Sequence, residues 1–189
     1  MDIILSILIG VGLSAACGYR VFIPMTITSI GSKFGWIHLG QDFSWISTDI
    51  CLIGFSIAAV LEVGAYYIPI LDHALDLVAS PLAVIAGMIL TASVAFDLPP
   101  YMRWTLAVIA GGGIAGLFQG TSVALRGLST VSTAGVGNNV VSTGETVGAV
   151  SISFLAIFIP TLAIIVVIIL AFFIIRFIIR KKALINKKT

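Results

Sequence analysis

Four charged residues stand inside otherwise apolar sequence: Arg20, Glu62, Arg126 and Glu145. A charge at the centre of a membrane helix costs about 2.5–3.5 kcal/mol on translocon scales, so such a residue usually faces the bundle interior and pairs. Two arginines and two glutamates offer two Arg–Glu pairs. As chemistry, that is an ion or substrate path, with arginines holding an anion and glutamates carrying protons or cations. The structural alternative is fixed ion pairing, or arginines reaching from helix ends to the interface. Arg126, at the end of its apolar run, suits that alternative; Arg20, followed by Val21-Phe22-Ile23, suits it less. Thr121, Ser122 and Asn138 join the candidate substrate- or ion-binding set as polar groups that either line a path or cap helix ends.

Other chemistries find no support. His38 and His73 are the two histidines, both in expected loops, and neither sits in a nucleophile–base set. The glycines from 111 to 120 lack the Lys-Ser or Lys-Thr of a phosphate loop and read as a close-packing face. Asp72, His73 and Asp76 have the spacing to hold a cation, but a capped, solvated turn explains them better. Cys17 and Cys51 lie in apolar runs and read as small core residues. No catalytic set, metal site or cofactor is expected.

The elements that position these residues must be membrane helices. Of 189 residues, 59% are hydrophobic and 10% charged, against about 25% charged in a soluble domain. The formal charge of +2 comes from the C-terminus: six of the ten basic residues lie between Arg176 and Lys188. That is no nucleic-acid footprint, which needs a basic face on a folded body. The N-terminus lacks the positive region of a cleaved signal, so residue 1 onward is read as mature.

A spanning helix needs about 20 apolar residues. The pattern predicts an all-α polytopic transmembrane bundle of five spans, with six as the alternative. The first runs from Ile3 to about Pro24, with Gly10, Ser14 and Gly18 at four-residue spacing. Gly31 to Ser47 is a loop with interfacial Trp36 and Trp45. The second span is about Thr48 to Ile70, and the third about Leu75 to Phe96 after a turn with Asp72 as N-cap. The fourth is about Met102 to Leu125, carrying Gly112, Gly116 and Gly120. The last apolar block, Val147 to Ile179, is read as one long helix bent at Pro160, with two spans as the alternative. Gly127 to Thr143 is either an outer loop or the re-entrant lining of a site.

Five spans place Lys33, Arg103 and the basic tail on one side, which the positive-inside bias identifies as cytoplasmic. The first and fourth spans share a glycine stripe followed by an arginine, and a glutamate near glycine follows in each half. This predicts an inverted repeat within one membrane domain, with halves of about 1–96 and 102–180 and a cytoplasmic tail at 181–189.

Gly18-Tyr19-Arg20-Val21-Phe22-Ile23-Pro24 resembles the G-x-R-x-F-x-P start of a bacterial integral-membrane family, domain of unknown function 4126. Ile68-Pro69-Ile70-Leu71-Asp72 through Asp76 and Pro81 is similar to its I-P-x-x-D…D…P segment. Ser129-Thr130 through Gly137-Asn138 is similar to its S-T-x-T-x-G-x-G-N segment. The resemblance covers nearly the whole chain and implies architecture rather than activity. This chain departs from the family in having Tyr66-Tyr67 where Asp-Lys is common, and Ser80 where Arg is common. The resulting expectation is a transporter or channel-like protein of the bacterial inner membrane, with a polar site between two halves. The alternative is a non-transporting assembly protein whose glycine faces dock partner helices. Membrane lipid and a small molecule or ion are the expected partners, and because five helices enclose little by themselves a homodimer is a further candidate.

Overall fold

The computed structural model describes residues 2–133 and 135–186; for 69–74, 177, 178 and 180–186 it describes the backbone alone. The described residues form eight α-helices: α1 (Ile3–Cys17), α2 (Phe22–Lys33), α3 (Asp49–Ala65), α4 (Pro69–Val94), α5 (Pro100–Leu106), α6 (Gly113–Thr133), α7 (Asn138–Phe158) and α8 (Pro160–Asn186). A 3-10 helix, Gln41–Ser47, precedes α3, and a π-turn, Ala107–Gly112, joins α5 to α6. There is no strand among the described residues, as the apolar helical pattern requires.

The five-span reading needs correction. Among the described residues, three helices are long and apolar enough to cross a membrane: Leu75–Val94, Pro100–Thr133 and Asn138–Phe158. A fourth arises if the 3-10 helix and α3, bent by 59°, count as one span. The first apolar run fails as a single pass because it breaks between Cys17 and Phe22. Gly12 of α1 faces Ala156 and Gly31 of α2 faces Ile157, both near the end of α7. Arg20, between the two helices, instead reaches Ser142 at the other end of α7, about four turns away. The helices α1 and α2 therefore form a V, with both legs at one end of the bundle and the tip at Gly18–Val21 well inside it.

The last apolar block is also not one bent helix. Proline lacks the N–H that would continue the ladder and forces its predecessor out of helical geometry; Ile159 has φ −138° and ψ 67°. From Pro160, α8 folds back along α7, so that Val166 and Leu170 share a groove with Gly144 and Gly148. Gly127 to Thr143 is neither outer loop nor re-entrant lining. Helix α6 continues to Thr133, and a short turn at Gly135 (φ +91°) leads into α7. The hydroxyls of Thr130, Ser132 and Thr133 donate to carbonyls four residues back, and Thr133 Oγ1 also accepts the Gly137 N–H. Asp72 lies inside α4, which begins at Pro69, and so is not the N-cap; its side chain and that of His73 lie outside the described residues.

The bundle is held at its centre by small residues. Gly10 of α1 lies on Thr91 of α4, and a Cβ on Gly87 would stand 2.7 Å from Ala115 Cβ and 3.0 Å from the Gly111 carbonyl. At that separation three backbones touch, as dispersion-driven packing in lipid demands. The Ser14 hydroxyl lies 2.8 Å from the Gly87 carbonyl and 2.7 Å from the Thr91 hydroxyl. In the fourth span the closest approach is at Gly111 and Ala115, while Gly112 and Gly116 of the expected face pack on Met88 and Val84 of α4; Gly120 meets nothing within 4 Å.

Trp36 packs on Phe158, Trp45 on Phe55 and Trp104 on Phe43, all around the 3-10 helix at one end of the bundle. At that end Lys33 pairs with Asp49 and Arg103 with Asp42. Helix α8 starts there and runs to the other end, so Lys33 and Arg103 lie opposite its C-terminus rather than beside it. The inverted repeat is not shown: Arg20 sits in a break between short helices, whereas Arg126 sits within the continuous α6.

Candidate functional site

The tip of the V is the natural place for a site. A helix break leaves backbone N–H and C=O groups without intrahelical partners, and here the break lies inside an apolar bundle. Arg20 at the tip is fully buried. Its Nη2 donates to the Ser142 hydroxyl at 2.6 Å and the Ser142 carbonyl at 3.0 Å, and its Nε donates to Thr146 Oγ1 at 3.2 Å. Ser142, Glu145 and Thr146 share one face of α7, being three and four residues apart.

Glu145 draws the two arginines together. Its Oε2 lies 3.3 Å from Arg20 Nη2 and 3.1 Å from Arg126 Nη2, and its Oε1 accepts from Arg126 Nε at 3.2 Å. Arg126 is 1% exposed, which rules out an arginine reaching for the interface. It also pairs with Asp76 of α4. Tyr66, at the end of α3, sits against both guanidinium groups, with their central carbons 4.1 and 4.2 Å from its ring centroid. Its hydroxyl donates to Asp76 Oδ1 at 3.2 Å. Four helices and the tip thus meet in one ionic cluster, and the face of an aromatic ring stabilises each cation electrostatically.

Glu62 has a different job. Its two oxygens accept the N–H groups of Val21 and Phe22, at 2.8 and 3.0 Å. A side chain from α3 therefore caps α2, where the local sequence supplies no cap. The symmetric pairing expected from sequence is replaced by one carboxylate shared between two arginines and another spent on backbone.

Two cavities flank the cluster. One, of about 290 Å³, lies between α3 and α4 and is lined by Val21, Phe22, Glu62, Tyr66 and apolar side chains. The other, of about 450 Å³, lies between α7, α8 and the end of α6 and is lined by Tyr19, Glu145 and apolar side chains. Each cavity presents one of the two glutamates.

Of the residues expected from sequence, Arg20, Arg126 and Glu145 converge directly, and Ser122 is buried one turn from Arg126, beside Glu145. Glu62 adjoins them through the tip. Thr121 and Asn138 stand apart: Thr121 donates to the Leu117 carbonyl, and Asn138 Nδ2 donates to Thr130 Oγ1. Sequence reasoning missed Tyr66, Asp76, Ser142 and Thr146. Tyr66 carries a signal in retrospect, since it lies four residues after Glu62 on the same helical face.

A family model described as "Domain of unknown function (DUF4126)" matches residues 7–180, and the chain belongs to that family. No curated protein and no solved structure matches it.

Proposed function

We propose that this DUF4126 protein is a small-solute transporter or channel-like protein, placed in the bacterial cytoplasmic membrane with its basic tail in the cytoplasm. The supporting observation is the ionic cluster of Arg20, Glu145 and Arg126, buried at the tip of a broken helix pair between two cavities. An ordinary structural ion pair needs no broken helix, and a charge network at membrane depth is the usual sign of a substrate or ion path. The tip is tied to α3 through Glu62 and to α7 through Arg20. A shift of the tip would open the cluster to one cavity while closing it to the other. The reading involves no catalytic step.

The test is flux in proteoliposomes. Purified protein is assayed by current and internal-pH measurements against a panel of small inorganic ions, carboxylates and amines. Saturable flux above empty vesicles is expected, with Arg20→Ala and Glu145→Gln abolishing it while both variants stay folded in detergent. No flux across the panel, or unchanged flux in both variants, overturns the proposal.

One observation favours the assembly reading as a second role. Gly113, Gly120 and Gly127 lie seven residues apart on α6, and a Cβ on any of them would meet nothing within 4 Å. A face this open lets another helix approach closely, and a second copy of this chain would satisfy it. Gly120→Leu then converts a dimer to a monomer in light scattering; a wild-type protein that is already monomeric in mild detergent and in nanodiscs overturns this.

A further inference from the structure

We infer that the cavity between α3 and α4 binds a hydrophobic organic monocation at the Glu62 carboxylate. The inference deepens the transport proposal and rests on it only for calling that cation a substrate. It begins with charge. Among the described residues, the two guanidinium groups of Arg20 and Arg126 meet three carboxylates: Glu145, Asp76 and Glu62. Glu145 and Asp76 are in direct ion pairs with the arginines. Glu62 is bound instead by two neutral N–H groups, which orient it and, with the end of the α2 dipole, supply only part of a counter-charge. With all three ionised, the described groups carry one negative charge more than positive, and Glu62, the carboxylate that lines the cavity, is the one outside the direct ion pairs.

The remaining walls define the partner. Ala58, Leu61, Ala65, Leu75, Val78, Ala79 and Leu82 offer no hydrogen bond, and the rings of Phe22 and Tyr66 are the aromatic surfaces. A hydrated inorganic ion would lose its water there with no replacement ligands. An anion would meet a carboxylate. A cation with an apolar body fits both, because its charge is satisfied at one point and its carbon surface by dispersion. A proton competes for the same oxygens. Among the described residues, the charged and titratable groups around Glu62 are Arg20 at the tip, Arg126 from α6, Cys17 from α1, and Tyr66 and Asp76. The arginines are already engaged, so protonation of Glu62 is the step that releases the cation, and affinity rises with pH.

The experiment compares three probes on the detergent-solubilised full chain by titration calorimetry at acidic, neutral and alkaline pH. They are benzyltrimethylammonium, its uncharged carbon analogue neopentylbenzene, and benzoate. Benzyltrimethylammonium should bind at least about tenfold more tightly than the other two, tighten with rising pH and release protons on binding. Glu62→Gln should abolish both the preference and its pH dependence, while Glu62→Asp keeps them in weakened form. Ala58→Phe fills the cavity without touching the cap, so it should abolish binding even if Glu62→Gln fails to fold. Equal binding of the three probes, cation binding that survives Glu62→Gln or Ala58→Phe, or no cation binding at any pH overturns the inference. Cation binding without cation flux in proteoliposomes leaves the site standing and overturns the cation's role as a substrate; the transport proposal itself falls only when the whole panel shows no flux.

Discussion

Two regions at the heart of this bundle solve the problem of burying polarity in opposite ways. The seam of Gly10, Ser14, Gly87, Thr91, Gly111 and Ala115 is small and uncharged. Its hydroxyls and carbonyls satisfy one another at contact distance, and added atoms collide with backbone. The cluster of Arg20, Tyr66, Asp76, Arg126 and Glu145 is bulky and charged, and open space lies on either side of it. Close packing makes the seam a single-state element. The cluster can exchange partners, because a carboxylate shared by two arginines can release one and keep the other. One region sets the frame and the other is where a change of state is affordable.

The largest expected effect tests the cluster. Arg126→Ala takes the guanidinium partner from Asp76 and leaves Glu145 with Arg20 alone, and breaking a buried ion pair in this way costs about 3–5 kcal/mol. Thermal unfolding in detergent should show it, and adding Asp76→Asn should recover part of the loss. Next comes the seam. Gly87→Leu forces side-chain atoms into Ala115 and the Gly111 carbonyl and should cost about 3 kcal/mol or more. The variant should accumulate poorly or unfold early, while the few molecules that fold keep their charge-dependent behaviour. Ser14→Ala leaves the Thr91 hydroxyl and the Gly87 carbonyl short of a partner, a loss of about 1–3 kcal/mol. It should lower the unfolding midpoint and leave flux per folded molecule unchanged; altered flux at unchanged stability would erase the distinction between the two regions. The smallest effect is Lys33→Ala, at the exposed pair with Asp49, expected within about 1 kcal/mol and undetectable at high salt.

Much of the fold was legible where periodicity and length carry the signal. The third and fourth spans were found because long apolar runs are local facts, though the helices outrun the expected 75–96 and 102–125, one starting at Pro69 and the other ending at Thr133. The break at Gly18–Val21 was not legible, since apolar sequence runs straight through it and its cap, Glu62, arrives from forty residues away. The fold-back at Ile159 was half legible: Pro160 announced a disturbance, but only tertiary packing decides between a kink and a reversal. That buried charges would pair followed from the cost of charge in lipid, but the expectation was two separate Arg–Glu pairs, with Arg126 suited to an interfacial position. That Glu145 would serve both arginines, and Glu62 neither, depends on the V of α1 and α2. The fold-back at Ile159 carries the tail to the end opposite Lys33 and Arg103, which is why counting basic residues gave a tidy but incorrect arrangement.

The gathering of Trp36, Trp45 and Trp104 around one end of the bundle makes the molecule an asymmetric optical reporter. With three tryptophans in the sequence, all its indole emission originates in one leaflet. Quenchers confined to that leaflet should extinguish nearly the whole signal, and quenchers in the other should leave it almost untouched. A vesicle preparation would thereby disclose what fraction of its protein is inserted in each direction, without any label attached.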